Sequence, residues 1–434
     1  MISRRDALLS TLFGSGYVGL RALATGLPAS LLLRPRTALA APSAMCVAPD
    51  KAQYIIFNTS GAGDPINANV PGTYEDTKIA HSADPSMAPT SLTIQGQTHM
   101  AAAPWATLPQ SVLDRTVFWH LMTNTPVHPK EPQVLQLMGA TQAGEMLPSL
   151  LAKQIAPCLG TIQPQPISVG AASPSEALTY GGAALPVVPA LALKATLTNP
   201  AGPLTTLQPL RDQTLNQIYD VYKTAASPAQ RQYIDSLVTS QEQVRNIGQS
   251  LLSALSSIKD NSASSQVLAA ITLIQMNVAP VVAIHIPFGG DNHRDIALAT
   301  ETAETVSGVA TIASLMQQLA SAGLADKVTF MSLSVFGRTL GSTNTDGRQH
   351  NSNHQVSITI GKPFVGGVVG AVGPVGNDYG ASAIDSKTGA GSSSGDVKAA
   401  DTLAAFGKTM LAAVGADPAV ITSTTGKVVG SALA

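Results

Sequence analysis

Residues 279–335 constrain the fold more than any other part of this chain. Residues 279–286 (APVVAIHI) form a short apolar run rich in β-branched side chains, which ends in the polar loop Pro287-Phe288-Gly289-Gly290-Asp291-Asn292-His293. Between 295 and 322, apolar residues recur at Ile296, Ala299, Ala303, Val306, Ala310 and Ile312, the spacing of a helix that buries one face. Residues 327–335 (KVTFMSLSV) are again strand-like. Strand, helix and strand in this order make a βαβ crossover, hence a parallel pair with both exit loops at one end of the sheet. Loops 287–294 and 336–354 therefore share a rim, where open α/β sheets keep their sites.

The remaining pattern extends this unit. Residues 52–57 read as a first buried strand that exits into a Gly-rich loop, and residues 115–122 read as another that exits into Thr123-Asn124-Thr125-Pro126-Val127-His128. Residues 133–157 have helical spacing, whereas 158–203 are Pro- and Gly-rich and suggest strands and loops. Residues 204–277 read as a helical insertion. Within it Ser227-Pro228 supplies an N-cap and first-turn proline, and apolar residues from Ile234 to Ile258 mark a long amphipathic helix. Residues 356–372 suggest a strand or hairpin, 374–396 an irregular exposed loop, 397–414 a last helix, and 417–434 a loosely held tail. The expected architecture is one α/β domain over residues 51–416, a mostly parallel sheet with helices on both faces. Its length of 434 residues suffices for a large core.

The N-terminus reads as an export signal. Ser3-Arg4-Arg5-Asp6 is a twin-arginine pattern, a moderately apolar stretch follows, and Ala38-Leu39-Ala40 is an A-x-A cleavage pattern. Arg21 interrupts the apolar run, which argues against a membrane anchor. Residues 1–40 are thus expected to be a signal peptide, 41–50 a linker, and the mature protein periplasmic or secreted without a stable anchor. Loss of five Arg and one Asp with that segment takes the net charge from −1 to −5. No basic excess remains to recruit nucleic acid. Cys46 and Cys158, the two cysteines, could pair in an oxidising compartment.

The candidate chemistry lies on the rim. Asp64 follows the first strand, Asp291 and His293 lie in the loop after 286, and His350 and His354 lie in the polar loop after 335. Carboxylates and imidazoles brought from several strand ends suit a divalent transition metal, zinc above all. Arg338 could hold an anion bidentately, and Thr59 or Ser60 could serve as an activated nucleophile. Each has a plainer alternative: Asp64 in an Asx-turn, Asp291 as a helix cap, Arg338 tying down loop carbonyls. His285, flanked by isoleucines in a strand, reads as a core histidine. His128, at a strand end in a Thr/Asn/Pro loop, is a further candidate outside the main set.

Several of these pieces resemble a known family. Ser60-Gly61-Ala62-Gly63-Asp64-Pro65-Ile66-Asn67 stands where that family has Gly-Gly-Asn-Asp-Gly-Leu-Asn, and Gly289-Gly290-Asp291-Asn292-His293 stands where it has Gly-Phe-Asp-Thr-His. Ser334-Val335-Phe336-Gly337-Arg338-Thr339 matches its Ser-Glu-Phe-Gly-Arg-Thr, and Gln349-His350-Asn351 with His354 matches its Asp-His-Gly followed by His. On these residues the chain resembles the fifteen-oh-one domain-of-unknown-function family, exported by the twin-arginine route and similar to the alkaline phosphatase/sulfatase superfamily. The resemblance implies an alkaline phosphatase-like fold and a metal-dependent hydrolase of phosphate or sulfate esters, acting on a small anionic ester. It also exposes two departures, Val335 for a Glu and Gln349 for an Asp. These imply the alternative of a non-catalytic exported binding or assembly protein that meets a protein partner.

Overall fold

The computed structural model describes residues 51–170, 177–198, 208–227, 231, 234–235, 254–341, 345–423 and 425–434. The expected export signal and linker (residues 1–50, with Cys46) and most of the long amphipathic helix expected between Ile234 and Ile258 lie outside these residues. Cys158 is disulfide-bonded. Among the described residues no helix is long and apolar enough to cross a membrane.

The centre is a seven-stranded sheet. Its strands in chain order are β1 (Tyr54–Ser60), β2 (Thr116–Leu121), β3 (Ile167–Ser168), β4 (Val281–Ile284), β5 (Val328–Ser334), β6 (Gln355–Ile360) and β7 (Gly367–Val369). They lie in the order β7-β2-β6-β5-β1-β4-β3. β1 is an interior strand parallel to both neighbours, Ile55 standing beside Val281 on one side and Thr329 on the other. The expected βαβ unit is present, with β1 seated between its two strands. Only β6 runs against its neighbours, antiparallel to both β5 and β2. The sheet is therefore mostly parallel, and two reversals leave β2 pointing the same way as β1.

Alternation along the strands splits the core in two, as a sheet covered on both faces requires. Ile56, Phe118, Val282, Phe330 and Ile358 face one layer with helices α3 (Ala263–Gln275) and α4 (Ala299–Ser321). Ile55, Phe57, Val117, Trp119 and Met331 face the other, with α1 (Leu147–Leu159) and α5 (Thr402–Ala413). Helix α2 (Gln208–Ala225) belongs to neither layer by its composition: Leu210, Ile218, Val221 and Tyr222 are exposed on it.

Four expectations change. The sequence pattern places α3 in a helical insertion over about 204–277, yet its Val267, Ile271 and Ile274 are core residues of the sheet layer. Residues 133–157 are not one helix: a short helix Glu131–Leu135 and two 3-10 turns precede α1, with positive φ at Leu137, Met138 and Ala143. The segment 158–203 contains a helix, Ala190–Thr198, besides its strands. The chain after Asp417 is held, not loose, because Ile421, Val429 and Ala432 are buried and Ala434 N–H donates to Pro363 O at 2.9 Å.

One glycine is required at the rim. Gly63 has φ +70°, and a Cβ there would lie 2.0 Å from the Phe336 ring. Gly63→Ala should therefore cost more than about 2 kcal/mol, from backbone strain and overpacking together. Urea denaturation checks this, and a variant as stable as the wild type would contradict it.

Candidate metal centre

All the parallel strands discharge their C-terminal loops at one rim. β1 leads into residues 61–70, β4 into 285–298, β5 into 335–354, and β2, through its parallel direction, into 122–130. Each loop contributes to one constellation.

His128, Asp291, His293 and His350 each offer a ligand atom there, and these atoms lie within 4.8 Å of one another. Asp291 Oδ1 is the common point. His293 Nε2 is 3.1 Å from it, His128 Nε2 3.5 Å and His350 Nε2 3.8 Å. The imidazoles are held from behind. His128 Nδ1 lies 2.7 Å from Gly61 O, and His350 Nδ1 2.6 Å from Pro126 O. Carbonyl oxygens only accept, so both rings carry a proton on Nδ1 and, when neutral, turn a bare Nε2 inward. The Phe336 ring supports the group, its centroid 4.4 Å from that of His350 and 4.9 Å from that of His128.

The carboxylate is also anchored. Arg338 Nη2 donates to Asp291 Oδ1 at 2.8 Å. The same guanidinium donates to Gly63 O and Ala62 O, both at 2.5 Å, and its side chain is fully buried. The β1 exit loop thus holds His128 directly through Gly61 and Asp291 indirectly through Arg338. Burial alone would raise the Asp291 pKa, but the Arg338 hydrogen bond and charge, with His128 and His293 beside it, carry it below the usual carboxylate value. His350 is lowered, first by burial, which the hydrogen bond to the Pro126 carbonyl opposes, and then by Arg338, His128 and His293 around it.

Of the residues expected from the sequence, Asp291, His293 and His350 come together. Asp64 and His354 are not in the cluster. Asp64 is 2% exposed, accepting from Ser60 Oγ at 3.3 Å and Ser334 Oγ at 3.2 Å. His354 immediately precedes β6, whose antiparallel start lies at the same end of the sheet as the exit loops, but its ring is fully buried against β2. There it lies 2.8 Å from His120 Nδ1. The expected nucleophiles are buried on carboxylates: Thr59 Oγ1 donates to Glu131, and Ser60 Oγ to Asp64. Arg338 follows its plainer alternative of tying loop carbonyls and adds the anchoring of Asp291. Asp291 does not cap α4; that role falls to Asp295, whose carboxylate accepts from Thr300 N–H and Glu301 N–H at 2.8 and 2.9 Å.

His128 completes the cluster from outside the main sequence set. The signal that could have placed it is the direction of β2, which depends on pairing with β6. Glu301 had no sequence signal at all. Its buried carboxylate accepts from Arg348 Nε (2.8 Å), Asn69 Nδ2 (2.9 Å) and Asn292 Nδ2 (3.1 Å). Asn292 lies between Asp291 and His293, and Arg348 is two residues before His350, so one carboxylate ties both ligand loops.

The two substituted positions differ in consequence. Val335 is fully buried in the apolar core and supplies no ligand. Gln349 stands behind the site, its Oε1 2.8 Å from His293 Nδ1.

A family model described as "Protein of unknown function (DUF1501)" matches residues 194–425. The match includes Asp291, His293, Arg338 and His350 and leaves His128 outside. No curated protein and no solved structure matches the chain.

Proposed function

The chain belongs to the DUF1501 family, and from that premise and the rim geometry we propose that it is an exported metal-dependent hydrolase of phosphate or sulfate esters. Its fold in this reading is alkaline phosphatase-like, and its ligands are His128, Asp291, His293 and His350. One observation carries the proposal: three imidazole Nε2 atoms and one carboxylate oxygen converge from three strand-exit loops. The donor set fits zinc or a similar divalent ion, whose bonds to nitrogen and oxygen run about 2.0–2.2 Å. His293 Nε2 and His350 Nε2 are 2.9 Å apart, a separation that calls for a proton or a cation between them.

A bound ion there would supply a Lewis acid for the scissile ester. The chain's own residues do the positioning. Gly61 O and Pro126 O fix two imidazoles, and Arg338 fixes the carboxylate. Asp291 and His293 are half-exposed, at 52% and 37% of the side chain, so a small anionic ester can approach from solvent. Arg338, fully buried, acts through Asp291 and not on the substrate.

A second reading, a non-catalytic binding or assembly protein, is favoured by the exposed apolar stripe Ile218, Val221 and Tyr222 on α2. Metal analysis of protein purified from its native compartment, followed by assay with aryl phosphate and aryl sulfate esters, separates the two. We expect a divalent metal in the wild type, little in His350→Ala, and ester cleavage that follows the metal. Metal without cleavage supports the second reading. Absence of both overturns the proposed function.

A further inference from the structure

The Phe336 ring stands between the β1 exit loop and two of the ligand imidazoles. Its centroid is 4.4 Å from that of His350 and 4.9 Å from that of His128, and those two are 4.5 Å from each other. The three rings form a closed triangle, so the fully buried Phe336 limits how the two imidazoles tilt and spread. One edge of the ring fills the space that a side chain at Gly63 would take. A Cβ there would meet ring carbons Cε2, Cδ2 and Cζ at 2.0, 2.4 and 2.9 Å. Gly63 is itself clamped, because Arg338 Nε donates to its carbonyl at 2.5 Å. The same guanidinium stands over the ring, 5.5 Å from its centroid. Phe336 is thus wedged between a held backbone and two imidazoles.

The wedge completes the fixing of two donor nitrogens. Gly61 O holds His128 from behind and Pro126 O holds His350. With the ring against their flanks, both imidazoles are held on two sides, which fixes the separation of their Nε2 atoms. Donor separation selects among ions by bond length. Zinc takes nitrogen and oxygen at about 2.0–2.2 Å, and a larger ion needs its donors further apart. Intrinsic affinity follows ion type, so a protein discriminates further only through geometry. A close-packed interior resists such spreading, because every shift must displace a neighbour.

We propose that Phe336 is a positioning residue that sets the size of ion the centre accepts, and that Gly63 is the position that makes room for it. Phe336 offers no donor atom and acts through His128 and His350. This inference rests on the proposed metal centre and adds to it a selectivity that the donor set alone does not supply.

The test compares zinc with cadmium, an ion of the same charge and filled d shell but larger radius. Affinities of the full mature protein are read by competition against a chromophoric chelator. The wild type should prefer zinc. Phe336→Leu should bind zinc about 10-fold more weakly and cadmium unchanged, so the zinc-to-cadmium ratio falls about 10-fold. Phe336→Met gives the same comparison if the leucine variant does not fold. Gly63→Ala, which drives the ring toward the imidazoles, should also weaken zinc binding. Adding Phe336→Leu to Gly63→Ala should restore part of that loss, since the clash is with the ring. A merely structural Phe336 would lower both affinities alike. Equal losses for the two ions overturn the proposal, as does a double variant that binds zinc no better than Gly63→Ala alone. A wild type that binds neither ion refutes the metal centre itself, a result distinct from an unchanged ratio.

Discussion

Glu301→Ala should lose about 3–5 kcal/mol of folding stability, the largest single-residue effect expected in this chain. The Glu301 carboxylate is fully buried and meets an Arg348 side chain that is only 1% exposed. Its oxygens accept from Arg348 Nε at 2.8 Å and Nη2 at 3.2 Å, with Asn69 and Asn292 taking the remaining positions. Arg348 in turn donates to Ala80 O at 2.6 Å and Thr339 O at 3.2 Å. Every charged group in the network is matched, which is the condition under which a buried ion pair is tolerated. Removal of the carboxylate leaves a guanidinium buried without its counter-charge and two amides without acceptors. Replacement of both partners, Glu301→Leu with Arg348→Met, should cost less than the sum of the single changes, because no uncompensated charge remains. Urea denaturation of the two single variants and the double variant measures this. A Glu301→Ala loss below about 1 kcal/mol would show that the pair is not the clamp described. The same variant should weaken metal binding, since the segments around Asn292 and Arg348 carry His293 and His350.

The sequence disclosed the parts whose determinants are local. The change of apolar period from strand to helix to strand over 279–335 is a property of neighbouring residues, and the structure contains that unit. Asp291, His293 and His350 were legible for the same reason, since they sit in the exit loops of those strands. What stayed hidden depends on pairing. The antiparallel direction of β6 sets the direction of β2, and so decides that His128 reaches the cluster, while the buried pairing with His120 keeps His354 out of it. Helix α3 carries an amphipathic pattern that fits an insertion or a sheet layer equally; only its contact with β4 distinguishes them. The breaks before α1 did have a local signal, Gly139 and Gly144, each at positive φ, but the apolar spacing around them obscured it. Glu301 sits within a helical pattern, where a charged residue ordinarily faces water. Its burial follows from three loops folding over it, and no window of sequence contains all three.

The buried histidine pair makes the fold acid-sensitive in a defined window. His120 Nε2 lies 2.9 Å from Pro71 O and must donate to it, which leaves Nδ1 as acceptor. His354 Nε2 then donates to His120 Nδ1 across 2.8 Å, and His354 Nδ1 accepts from Asn67 Nδ2 at 3.3 Å. The chain of donors uses one proton per ring, so both histidines are neutral. A second proton on either has no acceptor. Burial lowers the His120 pKa to about 4, with the Pro71 carbonyl opposing weakly; His354 is driven well below its usual value by burial and then by His120. In the unfolded chain both titrate near 6.5. Between about 6.5 and 4 the unfolded state therefore binds more protons than the folded one, and stability falls as pH is lowered through that window. Above 6.5 the pair contributes no slope. For His120 the shift corresponds to about 3 kcal/mol at the acid end, with His354 adding to it. Asn67 carries the effect toward the rim, because its side chain also donates to Arg338 O at 2.7 Å and accepts from Arg338 N–H at 3.0 Å. Urea denaturation of the metal-free protein from pH 8 to 4 should show a plateau followed by this decline. A His120→Gln variant, with a lower plateau from the lost packing, should show a shallower decline. An equally steep decline in that variant would assign the acid sensitivity to other groups.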